Sequence, residues 1–121
     1  MPTEAEMKAT LQRYLDALNA ADADAVVALF AEDAVVMDPY GKAPHEGRAA
    51  IAKFFGDVCQ SGATATLDTP IRGSYGDRAA MAFTVHVGDD WHIRVIDVMT
   101  FDDTGKIIRM EAYWGSGDAG H

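Results

Sequence analysis

Cysteine is almost absent: Cys59 is the only one among 121 residues, so no intrachain disulfide can brace this chain. Basic residues are scarce. Ten lysines and arginines face nineteen aspartates and glutamates, a formal net charge of −9. That balance argues against nucleic-acid backbones and anionic membrane surfaces as partners, and it suits a neutral small-molecule ligand. No apolar run approaches the length of a membrane span. The opening residues, MPTEAEMKAT, carry acids where a secretory leader would have a basic stretch followed by an apolar one. The expectation is a soluble, cytoplasmic protein. There is no phosphate-binding G-x-x-x-x-G-K-[ST] loop. The four histidines, His45, His86, His92 and His121, fall in no metal-ligand spacing. GSGDAG (115–120) satisfies G-x-G-x-x-G, but only His121 follows, so no helix could receive a pyrophosphate. Neither a metal nor an organic cofactor is therefore expected, and residues 115–121 read as a flexible tail.

What is present is ordinary for a globular chain. It is 49% hydrophobic and 24% charged, and it suits a single domain over residues 1–121. Thr3 with Glu6 three residues on is a helix-start signature. Met7, Leu11, Tyr14, Leu15 and Leu18 follow at helical spacing. A second short helix is expected near Asp24, burying Val26, Val27, Leu29 and Phe30. Residues 34–38 read as a strand that stops at Pro39, before a Pro- and Gly-rich loop. Helical spacing returns at 48–59, with Ile51, Phe54, Phe55 and Val58 on one face. Cys59 lies on its apolar side and reads as a small core residue rather than a nucleophile. Beyond Gly62 the pattern is β, with strands expected at 63–68, 71–75, 78–87, 91–101 and 106–114. GDD (88–90) and DDTG (102–105) supply hairpin turns. Helices first and antiparallel strands afterwards give an α+β layout, in which long strands bend around the helices and enclose a pocket. Phe83, Val85 and Val87 share one face of their strand. In the last strand Ile108, Met110, Ala112 and Trp114 share another, opposite Arg109 and Glu111.

Three polar residues break this pattern. Asp97, within HIRVIDVMTF, shares a strand face with Ile93, Val95, Met99 and Phe101. It marks a bulge, pairs with an arginine such as Arg94, or stays protonated and donates a hydrogen bond, because an unpaired buried carboxylate is too costly to persist. Tyr14 lies on the buried stripe of the first helix. It is either a core aromatic whose hydroxyl reaches water or a backbone carbonyl, or a buried donor. Asp38 is either a plain strand terminator before Pro39 or, sharing a face with Val36, a carboxylate leaning over the pocket mouth. Together, one carboxylate base and two buried donors are the equipment for removing a proton α to a carbonyl and holding the enolate.

These residues carry a resemblance. RYLDALNAADADAVVALFAEDAVVMDPYG, RAAIAKFF, AAMAFTV, VIDVMTF and MEAYW together resemble the bacterial Δ5-3-ketosteroid isomerases of the nuclear-transport-factor-2-like, or SnoaL-like, superfamily, over nearly the whole chain. DPYG and VIDVMTF, with Tyr14 in the first helix, are its specific part. The resemblance implies a cone-shaped fold, no cofactor, a steroid substrate and a homodimer packed through the outer sheet face. It assigns Asp38 as the base that carries a proton between C4 and C6, and Tyr14 with protonated Asp97 as the oxyanion hole. Ketosteroid isomerases are the best-known instance of a carboxylic acid kept neutral by an apolar site. It also implies that Phe54, Phe55, Met81, Phe83, Val85, Val95, Met99, Met110, Ala112 and Trp114 line the steroid cavity. The chain departs from well-known members at Phe55 and Phe30, where they have, or in some cases have, tyrosines, and at Met37, where they have an acid. The supporting phenol network is thus missing or rerouted. Fold-mates that open epoxides use an Asp-Arg-Asp relay, whereas Arg94 and Arg109 here fall on the face away from the cavity residues. Epoxide hydrolysis, polyketide cyclisation and a non-catalytic ligand-binding module remain the other readings.

Overall fold

A computed structural model describes residues 1–121. Three helices lie against a curved mixed sheet, the α+β class expected. Helix α1 (Glu4–Asn19) opens with the anticipated capping box: the Glu6 amide donates to Thr3 Oγ1 at 3.1 Å, and the Thr3 amide to Glu6 Oε1 at 2.8 Å. Its buried stripe includes Met7, Leu11, Tyr14, Leu15 and Leu18. Helix α2 (Ala23–Val27) is capped by the Asp22 carboxylate, which accepts from the Ala25 amide at 3.1 Å. It is shorter than its apolar run suggested, since Phe30 already begins strand β1 (Phe30–Met37). Strand β2 (His45–Glu46) is a two-residue return within the Pro/Gly loop. Helix α3 (Arg48–Gln60) ends just before Gly62, whose φ of 75° is the left-handed conformation glycine adopts without strain.

Strands β3 (Thr64–Leu67), β4 (Arg78–Val87), β5 (Trp91–Phe101) and β6 (Ile107–Tyr113) complete the main sheet, in the order β2-β1-β6-β5-β4-β3. All neighbours are antiparallel except β1 and β6, which are parallel. The β5–β6 hairpin is built as its sequence requires. Asp102 accepts from the amides of Thr104 and Lys106 at 2.9 and 3.0 Å, and Gly105 takes a φ of 88°. No helix is long and apolar enough to cross a membrane.

Two expected features differ. Residues 71–75 form no strand: Pro70 and Gly73 flank Arg72, and only Arg72 bridges β4, exchanging both hydrogen bonds with Ala80. Residues 115–121 are folded back rather than free. A 3₁₀ turn (Ser116–Asp118) is closed by the Asp118 carboxylate accepting from the Gly115 amide at 2.8 Å. Strand β7 (Ala119–Gly120) then pairs with β5 at His92 and Ile93, where β6 has already ended.

The core lies between the helices and the concave sheet face, with Leu11, Phe30, Val36, Ile51, Met99 and Met110 excluded from solvent. One polar clamp joins the layers. The Asn19 side chain at the end of α1 donates to the Ala65 carbonyl at 2.9 Å and accepts from the Ala65 amide at 2.7 Å, standing in for a missing strand neighbour on β3. Asn19→Ala should lower the unfolding free energy by about 1–3 kcal/mol, because both Ala65 backbone groups lose their partner. Urea denaturation followed by circular dichroism measures it, and an unchanged midpoint would show that the clamp contributes nothing.

Candidate active site

A cavity of ≈ 260 Å³ opens between α1, α3 and the concave face of β3–β5. Phe54, Phe55, Phe83, Val85, Val95 and Trp114 line it, as do Tyr14 and Asp38. Met81, Met99, Met110 and Ala112, also expected to line it, lie instead in the closed core, each no more than 2% exposed. Strand register accounts for the split. Phe83 pairs with Val95 and forms wall, while the next inward-facing pair, Met81 with Asp97, lies past the cavity's inner end. Leu18, Val58, Ala65, Val87 and Ile93 line it as well, with Ser61, Ala63 and Thr64 towards solvent. Val87 and Ile93 share faces with Val85 and Val95, so alternation had pointed to them. The turn after α3 carried no such signal.

Asp97 lies in the middle of β5, 1% exposed, opposite Met81 on one side and Ala112 on the other. There is no bulge at this position, and no protein atom hydrogen-bonds either carboxyl oxygen. Arg94 and Arg109 are exposed on the far face, and Arg109 pairs with Glu111 at 3.3 Å. Burial, followed by the charge of Asp38, therefore pushes the Asp97 carboxyl well above the usual carboxylate range. The shift favours the protonated acid over the carboxylate.

Asp38 has a different environment. It follows the last residue of β1, and the Trp114 indole donates to its Oδ1 at 2.8 Å. Burial raises its pKa, but the Trp114 hydrogen bond and the nearby His45 work against that rise. Both carboxyls are raised by burial, but Asp38 has two groups that offset it, whereas Asp97 has no partner.

Tyr14 comes from the α1 stripe and is 3% exposed, its ring against the cavity. Burial, then Asp97 and Asp38, hold its hydroxyl well above the ordinary phenol value, so it too keeps its proton. Phe55 meets the Tyr14 ring edge-to-face, at 5.7 Å between centroids and 82° between planes. Phe54 meets Phe55 in the same manner at 5.0 Å, and the His45 imidazole stacks on Phe54 at 4.3 Å. Aromatic packing thus occupies the place of the phenol network that Phe55 cannot supply. No three His, Cys, Asp or Glu side chains converge on a point that could hold a metal ion.

The SnoaL-like domain model matches residues 11–110. A steroid Delta-isomerase from Nocardioides simplex is 40% identical over 117 residues, covering 94% of each chain. The epoxide hydrolase LasB of Streptomyces lasalocidi is 29% identical over 98% of this chain, which spans 45% of that longer protein. Among solved structures, the epoxide hydrolase/cyclase-like enzyme SalBIII, studied for pyran ring formation in polyether salinomycin, superposes with a TM-score of 0.91 at 30% identity. That match covers 99% of this chain and 98% of SalBIII.

A raised pKa makes Asp97 a pH-dependent cost to folding. The folded state holds the proton over a window in which the unfolded chain, near the ordinary value of 3.8, has released it. Stability therefore falls as pH rises through that window, by at most about 1.4 kcal/mol per pH unit. Asp97→Asn lacks this proton. Its stability relative to wild type should climb steadily from about pH 4 upward, whatever the constant difference between them. Parallel stability–pH curves for the two proteins would mean that Asp97 ionises freely.

Proposed function

The chain belongs to the SnoaL-like family, and from that premise we propose that it is a cofactor-free isomerase converting 3-oxo-Δ5-steroids to their conjugated Δ4 isomers. One observation supports this reading: the contrast between Asp38, which lines the apolar cavity with Tyr14 and is held by an indole, and Asp97, buried without a partner just past the cavity's inner end. The Asp38 carboxylate removes a proton from C4. The C4–H electron pair becomes the C3–C4 double bond of a dienolate, and the C3 carbonyl oxygen takes the negative charge. Tyr14 and protonated Asp97 each donate a hydrogen bond to that oxygen. Their benefit grows as the charge develops, because the donors are already in place and water is excluded. Asp38 then returns the same proton to C6, which leaves the Δ4 double bond conjugated with the restored carbonyl. No redox change occurs and no second substrate is consumed. Epoxide opening is less favoured, since no arginine lines the cavity to complete an acid–arginine–acid relay.

With 5-androstene-3,17-dione as substrate, turnover appears as the ultraviolet band of the conjugated enone. Asp38→Asn should remove most of the activity, and Asp97→Ala should leave a slower enzyme. Tyr14→Phe should lower kcat by about 10²–10³-fold, the usual cost of one oxyanion donor. Wild-type protein that does not exceed the buffer rate would overturn the proposal. Full activity in Asp38→Asn would mean that another group is the base.

On the convex sheet face, Tyr40 stacks on Tyr113 at 5.3 Å, beside Ile96, which is 51% exposed. A homodimer packed through this face fits the family reading. Sedimentation should give a dimer for wild type and a monomer for Ile96→Glu; a monomeric wild type would rule this out.

A further inference from the structure

The proton transfer proposed above leaves His45 without a part. It opens β2, and the β1–β2 register sets it opposite Val36. Val36 is fully buried, and Asp38 lies two residues further along the same side. The loop that leaves the sheet at Asp38 therefore comes back to it at His45. The imidazole, half-buried, lies over Phe54 at 4.3 Å and 29°, and Phe54 is cavity wall. A phenylalanine there would pack as well; what an imidazole adds is charge.

The surrounding groups leave few alternatives for that charge. From β1, Asp38 is the acid in reach. On β2 itself, Glu46 is exposed and points to the opposite side of the strand. From α3, Arg48 donates to the Phe30 carbonyl, and Lys53 pairs with Asp57 at 3.4 Å on the exposed face. Tyr14 from α1 and Asp97 from β5 also face Asp38, but both are neutral while they keep their protons. The Trp114 indole is a neutral donor. Among these groups, His45 is the one whose charge works against the rise in the Asp38 pKa.

We propose that His45 is the electrostatic partner of the base: its imidazolium, seated on Phe54 at the cavity mouth, keeps Asp38 ionised as the medium turns acidic and so extends turnover to lower pH. This rests on Asp38 being the base of the isomerisation. The sign follows from the charges. Burial alone would make Asp38 take up a proton earlier than an ordinary carboxylate as pH falls. Histidine is the side chain whose positive charge appears as a medium turns mildly acidic, and a neighbouring cation lowers a carboxylate's proton affinity.

Two measurements test this on His45→Phe, His45→Gln and His45→Lys. One is kcat/KM against pH with 5-androstene-3,17-dione. The other, independent of turnover, is the titration of the Asp38 carboxyl followed by carbon NMR. The Phe and Gln variants should both move the acid limb and the Asp38 titration to higher pH by about half a unit, less than the 1–3 units of a direct ion pair. The Lys variant should leave both where they are or lower them. If Phe titrates as wild type, or if the rate falls equally at every pH with the limb unmoved, His45 is a packing residue and the proposal fails. If the wild type turns over no steroid while the carboxyl still shifts, the coupling stands and the isomerase reading falls.

Discussion

A buried carboxyl group with no hydrogen-bond donor is the constraint on which the rest of this site depends. Asp97 is in the interior of a sheet, with β4 on one side and β6 on the other. The backbone amides around it are committed to the strand ladders, so none is free to stabilise a carboxylate. Its inward neighbours along β5 are Val95 and Met99, and its cross-strand neighbours are Met81 and Ala112. Each of these would be unremarked in an ordinary core. Together they set the protonation state of one side chain, because the ionised form would need several kcal/mol of solvation that nothing nearby provides. The methionines and small residues beyond the cavity's inner end therefore act on that carboxyl without lining the cavity.

Tyr14 is held by a related economy. With phenylalanine at position 55, no second phenol shares the Tyr14 hydroxyl. Instead its ring is gripped edge-to-face by Phe55, which is gripped by Phe54, on which His45 lies. Edge-to-face contacts of this kind contribute about 0.5–1.5 kcal/mol each beyond area burial, and they fix ring orientation through the quadrupole rather than through a proton. The same chain of rings runs from the cavity mouth to the donor, so one aromatic row seats a group beside the base and orients the phenol.

Much of this was legible in the sequence because it depends on short-range periodicity. The capping box at Thr3, the stripe carrying Tyr14 and the alternation placing Asp97 inward are statements about spacing, and β5 keeps its alternation without interruption from Trp91 to Thr100. What was not legible depends on partners distant in sequence. A register shift between Thr100 and Phe101 turns Ile107 into the core, fully buried, and leaves Ile108 only half-buried, which strict alternation cannot foresee. Where the cavity ends is a matter of how deeply the helices fill the sheet's concavity, so Met99 and Met110 share the right face yet never reach the void. The tail had no hydrophobic pattern at all. It is ordered by backbone pairing to the part of β5 that β6 vacates, and that gap exists only once β6 has ended at Tyr113.

The parallel pairing of β1 with β6 is what makes two aspartates of the same chemistry do different work. Its register sets Met37 beside Glu111, so one step further brings Asp38 level with Ala112, the residue that faces Asp97 across the β5–β6 ladder. The Tyr40 amide, donating to the Ala112 carbonyl at 2.7 Å, holds the loop against β6 at that level. Asp38, Ala112 and Asp97 therefore lie in line across three strands, with the two acids two strand spacings apart, roughly 10 Å. That separation is short enough for the charge of Asp38 to raise Asp97 further. Asp38 is past the end of its strand, where a side chain can reach the Trp114 indole and the cavity mouth. Asp97 is in the middle of its own, where it can reach neither. Strand position thus gives the two carboxyls different surroundings: Asp38 has an indole donor and a neighbouring imidazole, and Asp97 has neither.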